Sequence, residues 1–302
     1  MIGIPGNLLI MASVVRNRHL GSSYNILVCN LAMADLLLIV YSILFDIVDL
    51  LYGRFPGTYG LCQFNAFMLI SLKAVSISAL MVIAINRWCQ ICYFTKCDRI
   101  FSKRNTFIIC GLQWTYGWVL AGLPLFSWST LKYDKMIHEC SYDRFASTSY
   151  TIVLVGTVIA IPVSVSLVCY VKILLAISRR NAKVRAQLQS VIVQRHVREI
   201  RSVKTQLAVF IVFICVTTPY GLTAMFADDS HHMVMLHSTV NILGHANSVI
   251  NCFIYGIMNK RIRKEYKDII LCKKHDHRSA TMTVNSQRSN ANVNAVTKES
   301  ML

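Results

Sequence analysis

The feature that most constrains this chain is a succession of long apolar runs separated by short polar connections. A helix needs about 20 apolar residues to cross a bilayer core of roughly 30 Å. Six full-length runs are readable, at Tyr24–Val48, Thr58–Trp88, Thr106–Phe126, Thr148–Ile177, Val203–Phe226 and Met233–Met258. A seventh, Ile2–Val15, is shorter and reaches only about 21 Å as a helix; it reads as a span whose beginning is absent from this sequence. Charged residues make up 15% of 302 positions, against about 25% in soluble domains, too few to coat a soluble globule. A hydrophobic content of 55% also excludes disorder over most of the length. The expected fold is an all-α membrane protein, a seven-helix bundle.

The net charge of +17 does not point to nucleic acid, because the basic residues sit between the apolar runs, which is the membrane pattern. The first loop holds Arg16 and Arg18, and the third Lys96, Arg99, Lys103 and Arg104. The fifth is the most basic, from Lys172 to Lys204, and Lys260, Arg261, Arg263, Lys264 and Lys267 follow the last run. The alternate loops are mixed or acidic, with Asp49, Glu139, Asp143, Asp228 and Asp229. The odd loops and the C-terminus are therefore expected in the cytoplasm and the N-terminus outside. The membrane-embedded unit is 1–272, including a short amphipathic helix over Lys260–Leu271, and 273–302 reads as a disordered tail rich in Ser, Asn and Thr.

Ionisable groups at bilayer depth are costly and mark function. Asp35 and Lys73 lie mid-span, away from helix ends. Arg87 closes the third span, where a residue snorkelling to the interface is the alternative, and His245 lies in the last, where a packed, hydrogen-bonded histidine is the alternative. Pro162 and Pro219 interrupt apolar runs, and a proline bends a helix by removing a backbone bond. Cys62 and Cys140 both fall on the outer side, where a disulfide is reasonable. No inverted hydropathy repeat or charged pore ring supports a transporter or channel, and no HExxH helix or nucleophile–base arrangement supports an enzyme.

Taken in order, these residues resemble the rhodopsin-like family of G-protein-coupled receptors across about residues 2–272. Gly6-Asn7, Leu31-Ala32-Met33-Ala34-Asp35, Trp114, Asn86-Arg87-Trp88 in place of Asp-Arg-Tyr, Pro162 with Tyr170, Pro219, and Asn251-Cys252-Phe253-Ile254-Tyr255 in place of Asn-Pro-x-x-Tyr carry the likeness. Within the family the chain looks most like melatonin receptors, through Ala84–Cys92, Thr130–Asp134, Ser149–Ile152 and Tyr255–Asn259. The departures fall in the ligand pocket. Lys132 stands for Gln, Val158 for His, Leu125 for Asn and Thr217 for the usual toggle Trp, changes that remove hydrogen-bonding and stacking groups an indole would use.

The resemblance implies a plasma-membrane receptor that answers an extracellular small ligand and engages a heterotrimeric G protein, of the inhibitory class, and arrestin. It implies a disulfide between Cys62 and Cys140. Ligand contacts are implied at Leu69, Lys73, Lys132, Val158, Thr217, Tyr220 and His245, and G-protein coupling at Asn86, Arg87, Trp88, Tyr170 and Tyr255. A sodium ion is implied in a pocket of Asp35, Ser76, Asn247, Ser248 and Asn251. Lys73 lies eleven residues past Cys62, about 16 Å down its helix. Its charge is expected to meet a ligand carboxylate, with an internal pair to Asp35 as the alternative; Leu69 and Thr217 bring no acid. Cys272 is placed for palmitoylation, against membrane lipids. Glu299-Ser300-Met301-Leu302 fits a PDZ groove. A polytopic channel or transporter, an opsin and a degenerate, non-signalling receptor are the other readings. A His at 245 cannot form the opsin Schiff base.

Overall fold

A computed structural model describes residues 2–16, 23–52, 55, 57–134, 139–184, 190–226, 230–258, 263, 266–269 and 271, with backbone alone at some helical positions. Helices form along every apolar run: α1 Gly3–Arg16, α2 Ser23–Tyr52, α3 Tyr59–Cys92, a short connecting α4 Phe94–Ile100, and α5 Lys103–Gly122. The fifth run is built from α6 Thr148–Val155, a π turn Gly156–Ala160 and α7 Ile161–Val184, followed by α8 Ser190–Phe226 and α9 His231–Met258. Among the described residues, five stretches are long and apolar enough to cross a membrane: Ser23–Ser42, Tyr59–Cys92, Lys103–Phe126, Thr148–Arg179 and Val203–Phe226. With α1 and α9 they make a seven-helix transmembrane bundle.

The helices run past the apolar stretches, most of all α8, which is already helical at Ser190. Hydropathy marks the length that faces lipid, whereas helical bonding continues until a cap or breaker stops it. Starts are marked by hydroxyl caps: Thr58, Ser102 and Ser147 accept from the backbone N–H of Leu61, Asn105 and Tyr150. The π turn precedes Pro162, and there Ile161 donates its N–H back to the carbonyl of Gly156. Proline cannot donate at the next position, and the wider turn absorbs the misfit. After α5, a 3₁₀ turn at Leu123–Phe126 contains Pro124 and ends on Ser127 with φ 68°.

Helix α3 runs through the middle, packed on α2, α5 and α7, while α9 packs on α8, α1 and α2. Several polar side chains find partners on neighbouring helices, away from lipid. Asn7 donates to the Ser248 carbonyl at 3.1 Å, tying α1 to α9. Trp114 donates to Asn30 at 2.9 Å, and Asn30 donates to Gln113 at 3.1 Å, tying α5 to α2. The apolar core has two larger parts. One surrounds Ile83, Ile173 and Phe213, and the other lies around Cys62, Leu131 and Tyr150. A two-stranded antiparallel hairpin, β1 Leu131–Asp134 and β2 Glu139–Tyr142, caps the second part. The Cys62–Cys140 disulfide fastens it to the first turns of α3, with 5.4 Å between the α-carbons.

The α3–α5 contact requires a glycine. A Cβ at position 117 would stand 2.8 Å from the Ser71 carbonyl oxygen and 3.0 Å from Val75 Cγ2. A backbone oxygen in a packed helix has nowhere to go, so Gly117→Ala should cost about 1–3 kcal/mol. Gly111, on the same helix, has open space around its would-be Cβ, so Gly111→Ala should be neutral or stabilising. Thermal unfolding of the purified protein in detergent should rank the two variants in that order.

Candidate functional site

Below the hairpin the bundle encloses a cavity of about 830 Å³, its mouth included. Leu69, Ile70 and Ile77 of α3, Leu154 and Val155 of α6, and Val158 and Ile159 of the π turn make an apolar wall. Tyr142 of β2 and Tyr220 of α8 add ring faces and hydroxyls. Of the residues expected to contact a ligand, Leu69, Lys73, Val158, Thr217 and Tyr220 all line this space. The π turn before Pro162 carries Val158, and Pro219, inside α8, lies beside Thr217 and Tyr220 in the chain.

Lys73 already has a carboxylate partner, and it is neither a ligand nor Asp35. Glu139 of β2 reaches into the cavity, with Oε1 3.3 Å from Lys73 Nζ. Its Oε2 accepts from Asn241 Nδ2 at 2.6 Å and faces His245 Nε2 at 3.4 Å. A carboxylate only accepts, so that histidine nitrogen carries the proton. Lys73 also donates to Asn241 Oδ1 at 3.3 Å. The result is a clasp joining α3, α9 and the hairpin, with Glu139 only 10% exposed at its side chain. Burial alone would raise the Glu139 pKa. The charges of Lys73 and His245, with hydrogen bonds from His245 and Asn241, outweigh it and hold the carboxyl well below the usual carboxylate range. The sequence offered Lys73 a ligand carboxylate or Asp35 as its partner, and the reading is corrected by Glu139, which was neither. The one available sequence signal was adjacency: Glu139 precedes Cys140, so the disulfide carries it to α3.

Lys132 is a second correction. In β1 it stands opposite Ser141, and its side chain pairs with Asp143 at 2.7 Å and is 55% exposed. It does not line the cavity. Burial opposes ionisation of Asp143, but Lys132 and backbone donors at Phe145 and Ala146 lower its pKa. His245 stands behind Glu139, with Nδ1 unpartnered among the described residues.

At the cavity floor, Asp35 is fully buried. Its carboxylate accepts from Ser76 Oγ at 2.6 Å and Asn251 Nδ2 at 2.9 Å. Asn247 and Ser248, one turn earlier on α9, are buried and line the same cavity, and Asn247 Oδ1 has no partner among the described residues. Of the four residues expected around Asp35, Ser76 and Asn251 bond to it directly, and Asn247 and Ser248 lie on the adjoining turn of α9.

At the far end of α3, Arg87 stacks on Tyr24 of α2, 3.4 Å from the ring centroid, and donates to Gln90 at 2.8 Å. Asn86 is fully buried, and its side-chain atoms lack partners among the described residues. Trp88 packs edge-on against Tyr93 and under the Lys172 ammonium at 4.8 Å. Tyr170 donates to the Gln206 carbonyl at 3.2 Å and packs on Phe210, joining α7 to α8. Tyr24 escaped the sequence reading, because nothing in its position announces a partner on α3. The side chain of Tyr255, Cys272, Ser300–Leu302 and the tail 273–302 lie outside the described residues; of the expected amphipathic helix, 263 and 266–269 are helical.

Residues 6–255 match the family described as 7 transmembrane receptor (rhodopsin family). The melatonin receptor type 1A of Mus musculus is 32% identical, over 90% of this chain and 77% of its own length. The type 1C receptor of Gallus gallus is 30% identical, over 90% and 79%. The type 1B-B receptor of Danio rerio is 31% identical, over 89% and 78%. Squid rhodopsin superposes with a TM-score of 0.78 at 18% identity, covering 92% of this chain and 85% of its own, which is a likeness of fold.

Removing Lys73 from the clasp leaves the buried Glu139 carboxylate without its ammonium partner. Lys73→Met should destabilise the protein by about 2 kcal/mol, and Lys73→Met with Glu139→Gln by less than the sum of the single changes. The folded protein binds the Glu139 proton more weakly than the unfolded chain. The clasp therefore contributes in full at neutral pH, and its contribution is lost as pH falls through the lowered range of Glu139. Thermal unfolding of the four proteins against pH measures both effects.

Proposed function

That the chain belongs to the rhodopsin family of seven-transmembrane receptors is the premise from which we propose its function. It is a melatonin-receptor-like receptor that passes the binding of a small extracellular ligand to a heterotrimeric G protein of the inhibitory class. The observation that carries this reading is α3 itself. One end carries the disulfide and Lys73 at the cavity, and the other carries Asn86, Arg87 and Trp88. In this reading the hairpin and N-terminus face outward at the plasma membrane, in keeping with the basic loops around Arg87. Arrestin shares the Arg87 end, Cys272 carries palmitate against the lipid, and Ser300–Leu302 offers a PDZ ligand. The wall around Val158 and Thr217 suits an apolar body, and Lys73, Asn241 and His245 suit a carboxylate or another strong acceptor. A hydrogen-bonded indole is less well served.

Activation is a shift between two states that differ in affinity for ligand and G protein. At rest Arg87 is held by Tyr24 and Gln90 in place of the usual acidic neighbour. A cation–π stack of this kind is worth about 1 kcal/mol. Arg87→Ala should abolish coupling and leave surface expression intact. Tyr24→Leu should raise basal coupling roughly fivefold, the population shift that about 1 kcal/mol provides. Cyclic-AMP inhibition at matched surface expression reads both. Full coupling by Arg87→Ala would point instead to a receptor that does not signal through this helix end.

We further propose that the Asp35 group holds a sodium ion. Its oxygens, from Asp35, Ser76, Asn247, Ser248 and Asn251, suit a hard cation, and the unpartnered Asn247 Oδ1 is an acceptor in want of one. A hydrated network without an ion is the competing reading. Sodium at physiological concentration should raise the melting temperature of the wild type over choline and leave Asp35→Asn unmoved. Equal responses would remove the ion from the reading.

A further inference from the structure

Three donors on two helices converge on a single carboxylate. Lys73 Nζ, Asn241 Nδ2 and His245 Nε2 all address Glu139, while most of the surrounding wall is apolar. The helices supply the donors, and the acid comes from a loop strand. Without the Glu139 side chain, α3 and α9 would present a preformed seat for a carboxylate, with one fixed cation, opening into the ligand cavity. A purely structural ion pair has no need to face that space, and a buried pair is weak evidence of stabilisation in any case.

The tether is short. Glu139 adjoins Cys140, whose disulfide is anchored to α3. A group held this way has an effective concentration of at least about a millimolar at its seat, so a bare free carboxylate competes poorly. A ligand overcomes the tether only by adding burial of its own, at about 25 cal/mol per Å² of apolar surface. The wall of Leu69, Ile70, Val158 and Ile159 is beside the seat to provide it.

We propose that Glu139 is a built-in competitor occupying the anion position of the ligand cavity, and that the ligand is a small acid with an apolar body whose carboxylate replaces it on Lys73, Asn241 and His245. No bond is made or broken; one carboxylate exchanges for another, and Glu139 swings toward the mouth. This deepens the receptor reading above by naming the ligand class and the group it must displace.

The test uses the purified full chain, with acetate and hexanoate as probes and acetamide and hexanamide as uncharged controls, read as melting temperature against probe concentration. Glu139→Ala should respond to hexanoate at a concentration at least tenfold lower than the wild type. Acetate should act on this variant in the same direction but more weakly, and the amides should do nothing. Adding Lys73→Met to Glu139→Ala should abolish the response. Glu139→Gln, which keeps the volume and loses the charge, should show the same order of probes and serves if the alanine variant folds poorly. Equal responses of wild type and variants, equal responses to acid and amide, or a response that survives Lys73→Met would each overturn the proposal. Because the readout is binding, it stands apart from the Arg87 coupling experiment: a receptor that failed there would still pass or fail here on its own.

Discussion

A charge at bilayer depth has no bulk water to answer it, so it dictates where its partner must stand. Among the described residues, Asp35 on α2 and Lys73 on α3 are two such groups, both turned toward neighbouring helices. Asp35 draws in Ser76 of α3 and Asn251 of α9. Lys73 draws in Asn241 of α9 and, through Glu139, the hairpin. Helices α3 and α9 take part in both, so the two polar clusters fix the same pair of helices at two depths. The apolar packing fills in around that frame, and the cavity is the space it leaves between the clusters.

The disulfide decides which loop residues can reach the frame. With Cys140 fastened beside Cys62, the adjacent Glu139 is delivered over α3 and Tyr142 closes over the cavity. The register places Lys132, Ser141 and Glu139 on one face of the hairpin, and position along it separates their charges: Lys132 pairs with Asp143 and stays exposed, while Glu139, beside Cys140, reaches Lys73. Replacing the loop sequence while keeping Cys140 would preserve the cap and change the chemistry of the cavity. The chemistry lining the cavity is thus supplied by the hairpin as well as by the helices.

The seven spans were legible because lipid imposes a length and a polarity on each, and both are written locally in the chain. The cysteine pair was legible in part because both residues fall on the outer side, whereas the grouping around Asp35 was legible only through order along the family pattern, since nothing in local composition brings Ser76 to Asn251. The Glu139 clasp was not legible. Its partners on α3 and α9 lie 66 and 102 residues away, and its position depends on a hairpin register that short polar strands do not announce. Tyr24 was missed for a related reason: a tyrosine at a helix start reads as an interfacial anchor, and only the packing of α2 on α3 turns it under Arg87. The π turn was hidden because Pro162 signals a bend without saying how the backbone absorbs it.

Thr217 bears on how the two clusters communicate. It lines the cavity between Lys73 and Tyr220 on one side and Ser76, Asn247 and Ser248 on the other. A large aromatic there would divide the space; threonine leaves one chamber running from the hairpin to the Asp35 group. Lys73 and Ser76 are three residues apart on one helix, so they share a face and move together. The same holds on α9 for Asn241, His245 and Ser248, at spacings of four and three. A displacement of α3 against α9 that loosens the Glu139 clasp must also alter the distance from Ser76 to Asn251, the two residues that grip Asp35. Coupling between the clusters needs no relay through intervening side chains, because a single relative motion of two helices is read at both depths. Pro219, two residues from Thr217 and inside α8, lacks the backbone donor that would stiffen the facing wall, so the third side of the chamber can yield as that motion occurs.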